Sequence, residues 1–459
     1  MVKNSVFSTL TLPYKDRMIT NIKKWCAIDS KYDETTKDKN NPFGQGVSKA
    51  LCFFEELATQ AGMQVKNYDN YVVEAIFGTG KKNITIMAHA DVVPEGSGWS
   101  HNPFEVQEKE GILYGRGVAD DKGPAIACFY SLLALKEANM LGNYQVRFLV
   151  GGNEERGSLC MEHYFKTLKK PQPTYGFSPD SSFPLIFAEK GIFNFEASKE
   201  IRVPGLISIH GGVASNSVIE KCTVRFDLND TIIPFLLENY PTAQIVTADD
   251  IVRITFTGLA AHGSVPQFGK NAGMMALDFI AKYTKNTDIK LALDLFSDVY
   301  GSGVNGYASS KEMGKNSLNV GLINYDQGKP LSIIVNFRYV NGVDDKKLKN
   351  AIIEKCKPFN VKCSISSPLL YYDKKSPLIK TLMKAYIQET GETGAKPLST
   401  GGGTYAKEAD NVVAFGMEFP GRNPKMHAVG ENVSIEDLVN SMAIYAHAIY
   451  ELGKLIDEN

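Results

Sequence analysis

Side chains able to do acid–base or metal chemistry recur in this chain directly after segments with the pattern of buried β-strands. His89 and Asp91 follow the apolar, β-branched run of residues 83–88. A neutral imidazole ligates divalent metals well, and a carboxylate two residues later can hold its second ring nitrogen. One His-x-Asp triplet is a weak signal on its own, because most such triplets are structural or solvent-exposed.

Further candidates follow other predicted strands or precede a predicted helix. The ones after strands are Glu154, Glu155, Asp180 and His427, and the ones before a helix are Asp120 and Asp121. Each has an ordinary alternative, because acids before a helix cap its amides and paired glutamates usually lie on a solvated face. In a parallel sheet, however, the carboxyl ends of the strands share one edge, where these side chains can converge.

Converging carboxylates repel one another, and divalent cations offset that repulsion. Two cations would suit this number of ligands. The mixed nitrogen and oxygen set favours Zn²⁺, with Mn²⁺ or Co²⁺ as alternatives.

Strands and helices alternate near both ends of the chain. Predicted strands cover residues 83–88, 145–150, 175–177 and 411–416, and predicted helices cover residues 124–140 and 436–452. This alternation predicts an α/β fold with a mixed, mostly parallel sheet covered by helices.

The middle of the chain differs in character. Strand-like runs at 221–226, 251–256 and 332–338 alternate with predicted helices at 273–282 and 346–355. We expect residues 187–371 to form an α+β lid domain, built as two α+β units. Since His427 must return to the site of His89, residues 1–186 and 372–459 would form one discontinuous catalytic domain.

Composition excludes several classes of protein. The 459 residues include 50 basic and 51 acidic ones, giving a net charge of −1 without a basic stripe, which argues against a nucleic-acid partner. No apolar stretch is long enough to span a bilayer. The N-terminus lacks the pattern of a secretion signal, and the seven cysteines are scattered, so a cytoplasmic protein with free thiols is expected.

The motifs resemble the co-catalytic metallopeptidase superfamily of carboxypeptidase G, acetylornithine deacetylase and aminoacylase, and most of all the PepV-type bacterial dipeptidases. The matching stretches, in family order, are HADVVPEGSGW (89–99), GRGVADDKGP (115–124), GGNEERGS (151–158), FSPDSSFP (177–184), AHGSVP (261–266) and STGGGTYAK (399–407). The segment 427–431 keeps the histidine and the later acid of the pattern. The resemblance implies a zinc-peptidase-like catalytic domain interrupted by a large lid.

The resemblance also implies a ligand set for two metals. His89 and Asp180 would bind one ion, Glu155 and His427 would bind the other, and Asp120 would bridge both.

Further roles follow from the same resemblance. Glu154 would be the general base that activates a water between the metals, and Asp91 would orient His89. His262 would stabilise the oxyanion; otherwise it is a polar turn residue. The peptide bond from Asp120 to Asp121 is typically cis in such enzymes.

Substrate-binding residues are expected in the lid and after it. Arg338 could clamp a terminal carboxylate, Asn216 could line the same cleft, and Gly401, Gly402 and Gly403 could offer backbone N–H groups. The alternatives are a surface strand position for Arg338 and a tight turn for the glycines.

These features predict a metal-dependent dipeptidase, acting as a monomer on small peptides with a free N-terminus and a C-terminal carboxylate. An N-acyl amino acid deacylase of the same superfamily is the alternative, and a non-catalytic metal-binding protein is a remote one.

Overall fold

The structure, a computed structural model, describes residues 4–458, which divide into two compact units. The first unit comprises the chain up to Ala188, Leu370–Ser399 and the chain from Gly403 onward. The second comprises Glu189–Leu369 and Thr400–Gly402. The chain thus completes the first unit only after the second has been inserted.

A nine-stranded mixed sheet is the framework of the first unit. In spatial order its strands are Gln64–Tyr68, Val72–Phe77, Gln145–Gly151, Asn83–His89, Tyr175–Ser178, Val412–Ala414, Ile186–Glu189 and Leu370–Tyr371, with Leu398–Thr400 also paired to Ile186–Glu189. The third to sixth strands of this order run parallel to one another. Their outer neighbours run antiparallel.

The predicted α/β fold is confirmed, and the four strands predicted from sequence are the four that form the parallel centre. Asn83–His89 is buried along its whole length, as expected for a strand covered on both faces. The antiparallel strands on either side of this centre come from parts of the chain where strands and helices do not alternate. Two smaller assemblies complete the unit: one joins Gln107–Lys109, Ile112–Tyr114 and Asn432–Ser434, and the other joins Ser181–Ser182 and Met417–Glu418.

Helices of the first unit pack on this sheet. The α-helices are Val6–Thr11, Lys15–Cys26, Gln45–Gln60, Lys122–Glu137, Leu159–Glu162, Pro377–Thr390 and Ile435–Asp457. Short helical turns of other types cover Leu12–Tyr14, Glu34–Thr36, His163–Thr167 and Tyr405–Glu408. Ile435–Asp457 begins one residue before its predicted start at 436, and it is capped by the Ser434 side chain, which accepts a hydrogen bond from the N–H of Asp437.

The helix Lys122–Glu137 begins two residues before its predicted start at Pro124, directly after the predicted ligand loop. Gly123 permits this close approach, since a Cβ there would lie 1.9 Å from the carbonyl oxygen of Val118. The Gly123 N–H also donates to the carbonyl of Gly117 at 3.2 Å. The first turn of the helix therefore fixes the loop that carries Asp120.

One antiparallel sheet of eight strands runs through the second unit. In spatial order its strands are Gln244–Ala248, Ile251–Thr257, Lys221–Asp227, Leu206–Gly211, Ser317–Asp326, Leu331–Tyr339, Gly191–Lys199 and Asn360–Ser367. The α-helices are Ile232–Asn239, Ala272–Thr284, Thr287–Phe296 and Asp345–Lys355, with short turns at Pro266–Phe268 and Ser302–Val304 and a small hairpin of Ser309–Ser310 with Gly314–Lys315. The two α+β units expected here share this sheet and one continuous apolar core.

No helix within residues 4–458 is both long and apolar enough to cross a membrane.

Replacing Gly123 with alanine should force the loop and the helix apart. We expect Gly123→Ala to lower the free energy of unfolding by about 1–3 kcal/mol, the usual cost of overpacking. Gly394→Ala is the matched control in the same unit, because a Cβ at Gly394 would have no heavy atom within 4 Å. Chemical denaturation followed by fluorescence measures both variants, and equal stabilities would contradict the close approach.

Candidate metal centre

The carboxyl ends of the parallel strands deliver most of the predicted ligands to one edge of the first unit's sheet. His89 is the last residue of its strand, and Asp180 lies two residues beyond the end of Tyr175–Ser178. Glu154 and Glu155 follow shortly after the strand Gln145–Gly151. This edge of an open α/β sheet is the usual location of ligands.

A first group of metal-ligating atoms is formed by His89, Asp120 and Asp180. Nε2 of His89 lies 2.9 Å from Oδ1 of Asp120 and 3.7 Å from Oδ2 of Asp180. One ligand atom from each of the three lies within 4.8 Å of the others. The His89 and Asp120 side chains are buried, and the Asp180 side chain is only 15% exposed.

A second group shares Asp120 with the first. Nε2 of His427 lies 2.8 Å from Oδ2 of Asp120 and 3.1 Å from Oε1 of Glu155. These three ligand atoms also lie within 4.8 Å of one another. Asp120 therefore presents one carboxylate oxygen to each histidine, and the five residues named by the resemblance come together as two groups joined at Asp120.

The protonation of His89 shows why cations fit this arrangement. Its Nδ1 lies 2.9 Å from the backbone carbonyl of Asp91, an acceptor, which assigns the proton of the neutral ring to Nδ1. The lone pair of Nε2 then points at the carboxylates of Asp120 and Asp180. A lone pair facing carboxylates is unfavourable unless a positive charge lies between the nitrogen and the carboxylate oxygens. A donor set of imidazole nitrogen and carboxylate oxygen suits Zn²⁺, Mn²⁺ or Co²⁺.

Without cations, protons take the place of that positive charge. Burial lowers the pKa of His427, but hydrogen bonds to Asp120 and Glu155 outweigh it and raise the pKa to about 11. Burial also lowers the pKa of His89. Hydrogen bonds to Asp120 and Asp91 outweigh this effect and hold the pKa well above its ordinary value. Burial works to raise the pKa of Asp120, yet hydrogen bonds from both histidines keep it well below its usual range.

Glu154 lies beside these groups and is partly buried. Burial raises the pKa of its carboxyl well above the ordinary value; the charge of His89 opposes this, and those of Glu155, Asp120 and Asp91 add to it. A carboxylate whose proton affinity is increased in this way accepts a proton from water more readily.

The structure gives Asp91 a different main contact from the one the resemblance implies. Its carboxylate oxygens accept the backbone N–H groups of Glu154 at 3.0 Å and Glu155 at 3.1 Å. The Asp91 carboxylate lies farther from Nδ1 of His89, at 3.5 Å, than the Asp91 backbone carbonyl does. Asp91 thus orients His89 through its main chain and positions the two glutamates through its side chain.

Sequence reasoning gave no role to Tyr405 in the first unit. The Tyr405 ring meets that of His89 edge-on with centroids 6.1 Å apart, and its hydroxyl contacts the thiol of Cys160 at 2.9 Å. Its position in the STGGGTYAK motif was the available signal.

Sequence reasoning also gave no role to Arg116 and Glu431. They form a buried ion pair of 2.6 Å beneath the Asp120 loop. The later acid in segment 427–431 was the available signal.

The peptide bond between Asp120 and Asp121 is cis, as the resemblance implies.

The predicted residues of the second unit lie close to one another. Asn216 accepts the N–H of Gly263 through its backbone carbonyl at 2.7 Å, next to His262. Nδ1 of His262, an exposed residue, lies 2.7 Å from the hydroxyl of Ser264. A Cβ on Gly401 would lie 2.5 Å from Cβ of Ser264, so the glycine run packs against this loop at Gly401.

Arg338 also belongs to this cluster of the second unit, and it is buried rather than on the surface of its strand. Its guanidinium donates to the carbonyl of Gly401 and, at 2.8 Å, to the side-chain oxygen of Asn336. Burial lowers the pKa of Arg338 to about 10, so the side chain remains a cation at neutral pH.

The glycine run divides between the two units. Gly401 is engaged through its carbonyl, the N–H of Gly402 donates to the Thr400 hydroxyl at 3.1 Å, and Gly403 belongs to the first unit. The N–H of Gly402 is therefore already occupied, contrary to the expectation of a free donor.

The chain is similar to known proteins over most of its length. The profile of "Peptidase family M20/M25/M40" matches residues 85–451. The "Putative dipeptidase YtjP" of Bacillus subtilis (strain 168) is 33% identical over 464 residues, covering 96% of this chain and 98% of that protein. The "Putative dipeptidase SAR1836" of Staphylococcus aureus (strain MRSA252) is 32% identical over 460 residues, covering 96% and 97%. The solved structure of the di-peptidase Dug1p from Saccharomyces cerevisiae has a similar fold, with a TM-score of 0.60, 16% identity and 98% coverage of both chains.

The two ligand groups predict two bound divalent cations per chain. Isothermal titration with Zn²⁺ or Mn²⁺ should give two sites for the native chain. His427→Ala should weaken one site, whereas Asp120→Asn should weaken both, because only Asp120 belongs to both groups. His210→Ala, which removes an exposed histidine of the second unit, is the control. Two unchanged sites in His427→Ala would contradict the arrangement.

Proposed function

The chain belongs to peptidase family M20/M25/M40 and is a hydrolase acting on peptide bonds, and from this premise we propose that it is a metal-dependent dipeptidase. Its substrates would be dipeptides with a free amino terminus and a C-terminal carboxylate. The reaction would be hydrolysis of their single peptide bond by an activated water. The curated relatives reported above, which span nearly the whole chain, carry the name of putative dipeptidases.

The observation that carries the proposal is the shared carboxylate of Asp120. It faces Nε2 of His89 at 2.9 Å and Nε2 of His427 at 2.8 Å, with Asp180 and Glu155 completing the two groups. Bound at these groups, divalent cations would lower the pKa of the attacking water and polarise the scissile carbonyl.

Glu154 is the group we assign to proton transfer. Its carboxylate would take a proton from the attacking water and pass the proton on to the departing amine. Asp91 supports that role, because its carboxylate holds the backbone N–H groups of Glu154 and Glu155 at 3.0 and 3.1 Å. The base and one candidate ligand are thereby fixed by the same side chain.

The second unit would contribute recognition of the substrate. Arg338 is a buried cation whose hydrogen bonds to Gly401 and Asn336 go to uncharged oxygens. Such a cation favours an anionic group, and the C-terminal carboxylate of a dipeptide is the anion that each substrate carries. We assign His262 to hydrogen bonding of the developing oxyanion, with Ser264 fixing the orientation of its ring.

Removing the base should separate catalysis from metal binding. We expect Glu154→Gln to lower kcat by about 10²- to 10⁴-fold, the usual contribution of a general base, while two cations still bind. Glu95→Gln is a suitable control, because Glu95 pairs with Lys31 and is not among the ligand groups. Turnover within threefold of the native rate would remove Glu154 from the mechanism.

A substrate panel tests the class of bond that is cleaved. The native protein with added Zn²⁺, Mn²⁺ or Co²⁺ should hydrolyse free dipeptides and lose that activity with a chelator. Dipeptide amides should be poor substrates because they lack the carboxylate proposed to bind Arg338, and Arg338→Met should raise KM for free dipeptides only. Cleavage of N-acyl amino acids without cleavage of any free dipeptide would instead identify a deacylase.

A further inference from the structure

We propose that Glu431 and Arg116 are positioning residues that hold Asp120 and His427 in the geometry required to bind the cation of the second group. The inference rests on the proposed metal centre and deepens it. Neither residue belongs to the two ligand groups.

Glu431 is joined to the loop that carries Asp120 by an unusual number of hydrogen bonds. Its Oε1 accepts the backbone N–H groups of Gly117, Ala119 and Asp120 at 3.0, 3.0 and 3.2 Å. Its backbone carbonyl accepts the N–H of Gly115 at 3.1 Å. A single residue thus satisfies four N–H groups of this buried loop, including that of the bridging ligand itself.

The other oxygen of Glu431 binds Arg116. Oε2 accepts a hydrogen bond from the guanidinium at 2.6 Å, and both side chains are almost fully buried. The second guanidinium nitrogen of Arg116 faces the carbonyl oxygens of Pro94, Glu95 and Ala428 at 3.3, 3.4 and 3.5 Å.

This ion pair therefore connects three loops that carry candidate ligands or their neighbours. Pro94 and Glu95 follow His89 and Asp91 in one loop, and residues 115–120 lead to Asp120 in the second. Ala428 is the residue directly after His427 in the third. Segments separated by more than 300 residues of sequence are fixed relative to each other at this point.

Attraction between the two charges does not by itself account for such a pair. Taking two charges out of water is costly, and a well-packed apolar pair of the same volume is often as stable. An apolar pair here would leave the N–H groups of the Asp120 loop without acceptors, at a cost of about 1–3 kcal/mol each. The hydrogen bonds of the pair are concentrated on the backbone beside Asp120 and His427. This distribution indicates that the pair positions those two ligands.

The chain offers a matched comparison in the same unit. Glu389 and His447 also form a buried pair, at 2.6 Å between Oε1 and Nδ1. Glu389 further accepts a hydrogen bond from Ser5 at 2.6 Å, and its contacts join helices rather than ligand loops. Neutralising Glu389 should therefore reduce stability without changing the affinity for cations.

The experiment compares Glu431→Gln with Glu389→Gln in the full-length protein. Isothermal titration with Mn²⁺ and with Zn²⁺ measures the affinity of both cation sites, and thermal unfolding of the metal-free protein measures Tm. We expect Glu431→Gln to weaken the second site, which uses both Asp120 and His427, about 10- to 100-fold, the range found when partners of metal ligands are removed. The first site, which shares only Asp120, should be weakened less. Glu389→Gln should lower Tm and leave both affinities within twofold of the native values.

Equal affinities in Glu431→Gln and the native protein, accompanied by a lower Tm, would show a merely structural pair and overturn the inference. If Glu431→Gln does not fold, Glu431→Asp provides the same comparison. It keeps the charge but is one methylene too short to contact both Arg116 and the three N–H groups, so the same loss of affinity is expected. Because the readout is cation affinity, failure of the native protein to hydrolyse dipeptides would refute the proposed function without affecting this test.

Discussion

Mutual repulsion among carboxylates is the constraint on which the architecture of the first unit depends. Asp91, Asp120, Glu154, Glu155 and Asp180 gather at one edge of the sheet, where the imidazoles of His89 and His427 contact Asp120. The net charge of −1 gives no sign of this local concentration. Backbone donors fix two acids of this region: the N–H groups of Glu154 and Glu155 bind Asp91, and those of Gly117, Ala119 and Asp120 bind Glu431. Like charges placed together in this way favour the binding of divalent cations.

The parts of the fold that sequence predicts are those governed by short-range periodicity. The runs at residues 83–88 and 145–150 are mostly apolar because their strands are covered on both faces, and this composition predicts them as buried strands. Their carboxyl ends then located His89 and Glu155. The start of Ile435–Asp457, capped by Ser434, was predictable to within one residue. The start of Lys122–Glu137 was placed at Pro124, two residues late, and the Asp121 side chain at its N-cap makes no capping hydrogen bond.

Contacts between distant segments account for what sequence left out. The main contact of Asp91 is to the backbone of residues 63 and 64 positions away, and no local pattern distinguishes this from a bond to His89. Glu431 was noted only as an acid following His427, since its partner Arg116 lies 315 positions earlier. The eight-stranded sheet shared by the expected α+β units likewise depends on pairing between strands far apart in sequence, such as Gly191–Lys199 with Asn360–Ser367.

The interruption of the first unit has a consequence for the growing polypeptide on the ribosome. The strand Tyr175–Ser178 pairs on one side with Asn83–His89, but its other neighbour, Val412–Ala414, is synthesised more than 230 residues later. Until then the outer edge of Tyr175–Ser178 has no strand to pair with. The unpaired edge of a strand that is normally buried can pair with a strand of another chain. The second unit, whose strands and core are contiguous in sequence, can fold during this interval. Nascent chains would therefore carry a finished second unit on an unfinished first one, and the arrival of residues 412–414 would close the exposed edge.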